Sequence, residues 1–470
     1  MGDRVNRPLE RLQAYLQVDT VDRTEPAAGE RIARAREGSL AGERAAAEML
    51  AGWLAEGGIA SRRLESPTGN SLLWAELPAT VSPPSGIAPP GAVLMLHHLD
   101  VVPADADAWS VTPFSGRAVG GELWGRGALD IKSLGIAHLE AMLALADDPA
   151  PRARPLVFLA AGGEETGGQG GVGWAVEAHP ELFDDVAVVL NEGGSNRVVR
   201  DRLVWWGIEV VQKRPLWLRL RARGPSGHGS LYRPNSAGHR LIRALTRALE
   251  LPLVPRVTAA ARTSVAAAAE AEGIDVARRL RELEAAARGE PSGLPVGFVA
   301  MLRDTLQIGR VQLADRVNVI AGRPFADLDL RLLPDTDAEA VRETLARLVG
   351  PDIEIETLLA APTAAPSPID HPAYAGLREV LETRAPVVPM FLLGTTDSRW
   401  FRERGIPAYG FTPFTVESDT LVGIHGIDER LEIDELRRGI EVMRRVVRRL
   451  VVASDGGWSG GYRPADSSGQ

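Results

Sequence analysis

The sequence predicts an α/β domain, a mixed and largely parallel sheet flanked by helices, interrupted by an inserted α+β domain. Three observations carry this. First, the short apolar runs 92–97, 155–161 and 186–190 are continuous rather than alternating, as in strands covered on both faces of a parallel sheet. Second, helical spacing fills the gaps between them, at 131–146 and 170–178. Third, the pattern changes near 212. Segment 215–223 alternates apolar and basic residues, which predicts a half-exposed strand, and α/β character returns only from 371.

Other elements follow in order. Apolar spacing predicts helices over 7–17 and 40–57, and Ser71–Leu77 reads as a strand. The Pro-rich stretch 78–91 is a loop. Inside the insert we expect a helix at 236–250 and an Ala/Arg/Glu-rich, partly helical segment over 253–300. Strands at 305–313 and 316–333, a helix at 337–349 and a strand at 352–358 complete it. A last helix covers 434–452. The expected organisation is a catalytic domain in two parts, 1–211 and 360–453, an insert at 212–359, and a disordered Gly/Ser-rich tail at 454–470.

Composition excludes several chemistries. The chain has 470 residues and no cysteine, so there is no thiolate zinc site and no cysteine nucleophile. A metal must be held by the eight histidines, by carboxylates or by backbone oxygen. The net charge of −9 argues against a nucleic-acid partner. No apolar run approaches the roughly 18 residues of a membrane span. The amino-terminal stretch shows no apolar signal region, so the expected location is cytoplasmic with no membrane partner.

The three buried runs each end in metal-ligand chemistry. They lead into His97-His98-Leu99-Asp100, into Glu164-Glu165, and into Asn191-Glu192-Gly193-Gly194. Ligands in open α/β sheets bind beyond the carboxyl ends of the strands, so these groups converge. Asp130 precedes a predicted helix and is a fourth candidate, with a helix N-cap as its ordinary alternative. Clustered carboxylates repel one another unless a cation lies among them. The run Gly168-Gln169-Gly170-Gly171-Val172-Gly173 matches a dinucleotide fingerprint. Two carboxylates stand just before it, where a pyrophosphate needs positive potential.

The ordered set of motifs is His98-Leu99-Asp100-Val101-Val102-Pro103, Gly125-Arg126-Gly127 with Asp130 and Lys132, Glu164-Glu165, Glu192-Gly193-Gly194, and His425-Gly426 with Asp428-Glu429. From about residue 8 to 452 this resembles the di-zinc metallopeptidase and deacylase family of aminoacylase, carboxypeptidase G, Gly-X carboxypeptidase, acetylornithine deacetylase and succinyl-diaminopimelate desuccinylase. The resemblance implies that His98 and Glu192 bind one metal, Glu165 and His425 the other, and that Asp130 bridges both. It implies that Asp100 hydrogen-bonds the second nitrogen of His98 and that Glu164 is the general base. A cis peptide is implied at Asp130-Ile131. Two divalent cations against three ligand carboxylates leave about one net positive charge to polarise a carbonyl. Zn2+ is the implied metal, and Co2+ or Mn2+ also suit such a donor set.

The insert corresponds to the family's lid and dimerisation domain, which implies a possible homodimer. His228, in Gly224-Pro225-Ser226-Gly227-His228, matches the lid histidine that donates to the oxyanion. Asn318, Arg331, Gly394 and Thr395 match substrate-side positions, with Arg331 gripping a substrate carboxylate. The other histidines, His97, His138, His179, His239 and His371, read as structural. Ser133, Ala321 and Gly163 depart from the family pattern, and the last stands next to the base. The expected activity is hydrolysis of an amide beside a free carboxylate, in an N-acyl amino acid or short peptide. The alternatives are a free-amine dipeptidase of the same family and a non-catalytic metal-binding relative.

Overall fold

The computed structural model describes residues 2–22, 30–82 and 91–453. The predicted tail 454–470 and most of the Pro-rich loop lie outside them. In chain order the strands are β1 (Ser61–Glu65), β2 (Ser71–Leu77), β3 (Ala92–His98), β4 (Arg117–Val119), β5 (Glu122–Trp124) and β6 (Leu156–Ala161). Next come β7 (Val186–Asn191), β8 (Arg197–Val199), β9 (Arg202–Gln212), β10 (Arg214–Ala222), β11 (Gly227–His228) and β12 (Thr305–Gln312). The last are β13 (Val319–Ile320), β14 (Phe325–Leu332), β15 (Ile353–Ala360), β16 (Val387–Leu392), β17 (Ala408–Gly410) and β18 (Arg430–Glu432). The chain divides into two compact units. One comprises 1–210, 366–390 and 396–470, and the other comprises 211–365 and 391–395.

The first unit is built on a nine-stranded mixed sheet, ordered β1-β2-β6-β3-β7-β17-β9-β16, with β8 beside β9. Its centre is parallel: β6, β3, β7 and β17 run the same way. These are the continuous apolar runs, and both faces are covered. Leu94 and Leu96 of β3 pack with Val172, Val176, Trp400 and Phe401 on one side. On the other, His97 lies against Gly135 of helix Lys132–Asp147, where a side chain on residue 135 would enter the imidazole. Helices Gly2–Leu16 and Ile433–Val451 pack against that helix. The parallel centre places the carboxyl ends of β3, β6 and β7 side by side, and the candidate ligands follow from those ends. Among the described residues no helix is long and apolar enough to cross a membrane.

The second unit is a four-stranded antiparallel sheet, β12-β14-β10-β15. Helices Ala237–Ala248 and Ala338–Val349 cover the face made by Leu216, Leu218, Leu220, Leu328 and Leu330. Helices Ala259–Ala271 and Val276–Ala287 pack on each other and contribute Val265 and Leu283 to a small separate core with Leu294 and Leu302. A two-stranded ribbon, β11 with β13, carries His228.

Three local expectations are corrected. The strand expected half-exposed at 215–223 is mostly buried, because Asp327 takes Arg219 and Phe325 lies under Arg219 and Arg221. The single strand expected over 316–333 is broken into β13 and β14, with Gly322 and Pro324 in the break. The helix expected over 170–178 is regular only at Trp174–Ala178, since Gly171 is non-helical and sits against the Gly162 carbonyl.

Candidate metal centre

His98 is the last residue of β3, Glu192 follows β7 directly, and Glu164 and Glu165 lie in the turn after β6. Asp130 comes from the loop before helix Lys132–Asp147. It is not the N-cap: that position is Ile131, with no side-chain cap. The Asp130-Ile131 peptide is cis. His425 lies in the turn after helix Ser418–Leu421 and has φ 57°.

These side chains meet. The two oxygens of Asp130 face two imidazoles: Oδ1 is 3.1 Å from His98 Nε2, and Oδ2 is 3.1 Å from His425 Nε2. Glu165 Oε2 is 3.2 Å from His425 Nε2, and Glu192 Oε1 is 3.9 Å from His98 Nε2. Glu164 groups with His98 and Glu192, their ligand atoms within 4.8 Å of one another. Tetrahedral coordination with bonds of roughly 2.1 Å separates donors by about 3.4 Å. The observed distances bracket that value. In addition, Glu165 Oε1 is buried with no hydrogen-bond partner, a group that needs a ligand or a cation. The donor set fits two divalent ions.

The electrostatics agree. Burial opposes charge on His98, but Glu192, Asp130 and Asp100 outweigh it and raise its pKa well above the ordinary value. Hydrogen bonds to Asp130 and Glu165 push His425 up to about 10. Burial pushes Glu192 up to about 8. Burial and then the charge of Glu192 push Glu164 well above the usual carboxylate range. Burial also works against ionised Asp130, yet the hydrogen bonds from His425 and His98 hold it well below its usual range. Without cations the cluster keeps protons in their place.

Asp100 acts differently from the expectation. The second nitrogen of His98, Nδ1, is 2.8 Å from the backbone oxygen of Asp100. The Asp100 carboxylate is 3.8 Å from it. Donation from Nδ1 still leaves Nε2 as the coordinating lone pair. The fully buried Asp100 carboxylate instead accepts from the amides of Glu164 at 3.2 Å and Glu165 at 2.9 Å, so it fixes the turn that carries both glutamates. Thr166 to Asp22 and Arg399 to the Gly167 carbonyl hold the same turn.

The glycine run after this turn is occupied by protein. Gly168 abuts Asp397, Gly170 abuts Thr68 and Asn70, and Gly173 abuts Trp400. The amides of Gly168, Gly171 and Gly173 are bonded to the Gly163 and Gly168 carbonyls, so those N–H groups are not available to cradle a pyrophosphate, and the dinucleotide reading is discarded. Sequence reasoning gave no role to Glu43, Arg126 or Glu429, although all three are buried. The Glu43 carboxylate accepts from Ser71 N and Asn70 Nδ2 behind the same turn.

The remaining candidates lie in the second unit. His228 is exposed, and its Nδ1 accepts from the Ser230 amide at 3.2 Å. Exposed Asn318 is joined to it, its carbonyl accepting from Gly229 N. Arg331, on β14, gives Nε to Asp329 and lies over Trp217. Thr395, next to exposed Gly394, accepts from Gln212 Nε2.

Comparison with known proteins bears on this arrangement. The sequence profile of peptidase family M20/M25/M40 matches residues 94–449, a span that contains all five candidate ligands and Glu164. Aminoacylase-1 of Pongo abelii is 27% identical over 369 residues, spanning 76% of this chain and 80% of that protein. An M20 family metallo-carboxypeptidase from Sulfolobus solfataricus has the same fold, with a TM-score of 0.69 at 19% identity over 94% of this chain and 98% of its own. Human carnosine dipeptidase 1 gives 0.67 at 17% identity, over 95% and 97%. The chain belongs to peptidase family M20/M25/M40 and is a hydrolase of amide or peptide bonds, of the metallopeptidase and aminoacylase type.

Proposed function

We propose that this protein hydrolyses an amide bond next to a free carboxylate, in an N-acyl amino acid or a short peptide, at a dinuclear metal centre. The observation that carries this is the pair of 3.1 Å contacts placing each oxygen of Asp130 against a different imidazole. In this reading His98 and Glu192 hold one ion, Glu165 and His425 the other, and Asp130 both. Zn2+ is the first choice of metal, with Co2+ or Mn2+ next. When bound, such ions polarise the scissile carbonyl and acidify the attacking water.

The chain's own residues do the rest. Glu164 takes the proton of the attacking water and hands it to the departing amine. Asp100 keeps Glu164 and Glu165 in register through their amides. His228 donates to the developing oxyanion, and Asn318, Gly394 and Thr395 match the substrate side. The second unit serves as a lid and as the contact of a homodimer. Similarity to Aminoacylase-1 supports the acyl-amino-acid class.

The test is a hydrolysis panel of N-acetyl amino acids, long-chain N-acyl amino acids and free-amine dipeptides on the metal-loaded protein. Turnover of the acylated carboxylates above the free-amine dipeptides supports the reading. Exclusive dipeptide turnover selects the short-peptide arm, and undiminished turnover of the same substrates with their carboxylate amidated refutes the reading.

Arg331 is the carboxylate grip of this proposal. Its Nε edge is engaged by Asp329, which also takes the Trp217 indole N–H at 2.8 Å. The guanidinium is thereby oriented. Arg331→Ala raises KM for carboxylate substrates by about 10- to 100-fold, the worth of a charge-assisted hydrogen bond. An unchanged KM rules the grip out.

A further inference from the structure

We propose that the buried Arg126–Glu429 ion pair is the positioning device that locks the His425 turn onto the Asp130 loop, and so sets the affinity of one metal position over the other. This rests on the ligand assignment proposed above. Both side chains are buried, and Arg126 Nη1 meets Glu429 Oε2 at 2.7 Å. Each partner reaches a different ligand loop.

Glu429 faces the Asp130 loop. Its Oε1 accepts from Leu129 N at 2.7 Å and from Asp130 N at 2.9 Å, and its Oε2 accepts from Gly127 N at 3.0 Å. The amide of the bridging aspartate is therefore fixed by this carboxylate. Arg126 faces the His425 turn. Nη1 donates to the Gly423 carbonyl at 3.3 Å and Nη2 to the Gly426 carbonyl at 2.7 Å. Those two carbonyls bracket His425, which holds a left-handed backbone that a histidine adopts only when its surroundings impose it. Nη2 also reaches the Pro103 carbonyl, and the guanidinium lies over the Trp109 ring at 5.1 Å.

A planar fork with fixed donors suits this task, since it can meet a carboxylate and two carbonyls at set angles, which an ammonium cannot. His98, by contrast, is held by its own strand and by the Asp100 carbonyl. The pair therefore bears on the Glu165/His425 position twice, through the His425 turn and through Asp130, and on the His98/Glu192 position only through Asp130.

The experiment is a Zn2+ titration of the metal-stripped full-length protein, read as ions bound per chain and two affinities. Wild type is compared with Arg126→Met, Arg126→Lys and Glu429→Gln. Arg11→Met serves as control, because it breaks another buried pair of the same unit, Arg11–Glu140 at 2.7 Å, away from the ligand loops. We expect Arg126→Met to weaken one ion by about 10- to 100-fold, as loss of outer-sphere partners does, and the other ion markedly less. Arg126→Lys recovers part of the loss. Arg11→Met lowers the unfolding temperature without separating the two affinities.

Two ions at wild-type affinity in both Arg126 variants overturn the proposal. So does equal weakening of both ions. Should Arg126→Met fail to fold, the Lys and Gln variants decide by the same reading. A wild-type chain that binds no ion instead overturns the ligand assignment, and the two failures are told apart.

Discussion

Glu164→Gln abolishes measurable turnover, by about 10²- to 10⁴-fold or more, while both metal ions remain bound. The reason lies in where Glu164 stands. It directly precedes the ligand Glu165, its amide is fixed by Asp100 at 3.2 Å, and its ligand atom comes within 4.8 Å of those of His98 and Glu192. Burial and the charge of Glu192 raise its proton affinity, which suits a group that must accept a proton and then release it. Glutamine keeps the shape and removes the basic carboxylate that takes the proton. Metal analysis and kinetics on one preparation check this. Activity within about tenfold of wild type sinks the base assignment. Loss of a metal ion from the variant shows that Glu164 is a ligand instead.

The second large effect is metal removal, and its size depends on pH. In the metal-free protein Glu192 is pushed up to about 8 from an ordinary 4.5, and His425 up to about 10 from 6.5. Between those limits the folded chain binds more protons than the unfolded chain. Stability from these groups is therefore full below about pH 4.5 and is lost as pH rises through 8 and 10. Metal binding runs the other way, because carboxylates and imidazoles must shed protons to coordinate. At a free metal concentration a thousandfold above Kd the bound ion adds about 4 kcal/mol. The gap in Tm between loaded and chelator-treated protein accordingly widens from pH 5 to pH 9. A gap that is constant or narrows contradicts the charge assignment.

Much of the fold was legible for a physical reason. Strands covered on both faces must be continuously apolar, and β3, β6 and β7 announced themselves that way. Ligands placed at their carboxyl ends then had to share one crevice, and His98, Glu164, Glu165 and Glu192 do. β17 was not legible, since three residues are too short for any pattern, yet it completes the parallel centre beside β7. Asp100 does hold the second nitrogen of His98, but through its backbone carbonyl, a contact that residue type alone does not report. Arg126 and Glu429 were quoted within motifs without a role. They are 303 residues apart in sequence, and a buried pair at that separation leaves no local periodicity to read. The charge balance of β10 was hidden likewise, because Arg219 is paired with Asp327 and stacked on Phe325 of β14, while Arg221 pairs with Glu356 of β15.

The most direct test of the whole account is a count of bound metal on the purified protein, coupled to hydrolysis of an N-acyl amino acid through a cycle of chelation and reloading. Two divalent ions per chain are expected, with loss of hydrolysis when they are stripped and its return when they are restored. Hydrolysis that persists unchanged in fully stripped protein, or a chain that binds no divalent ion at any pH from 6 to 9, contradicts it.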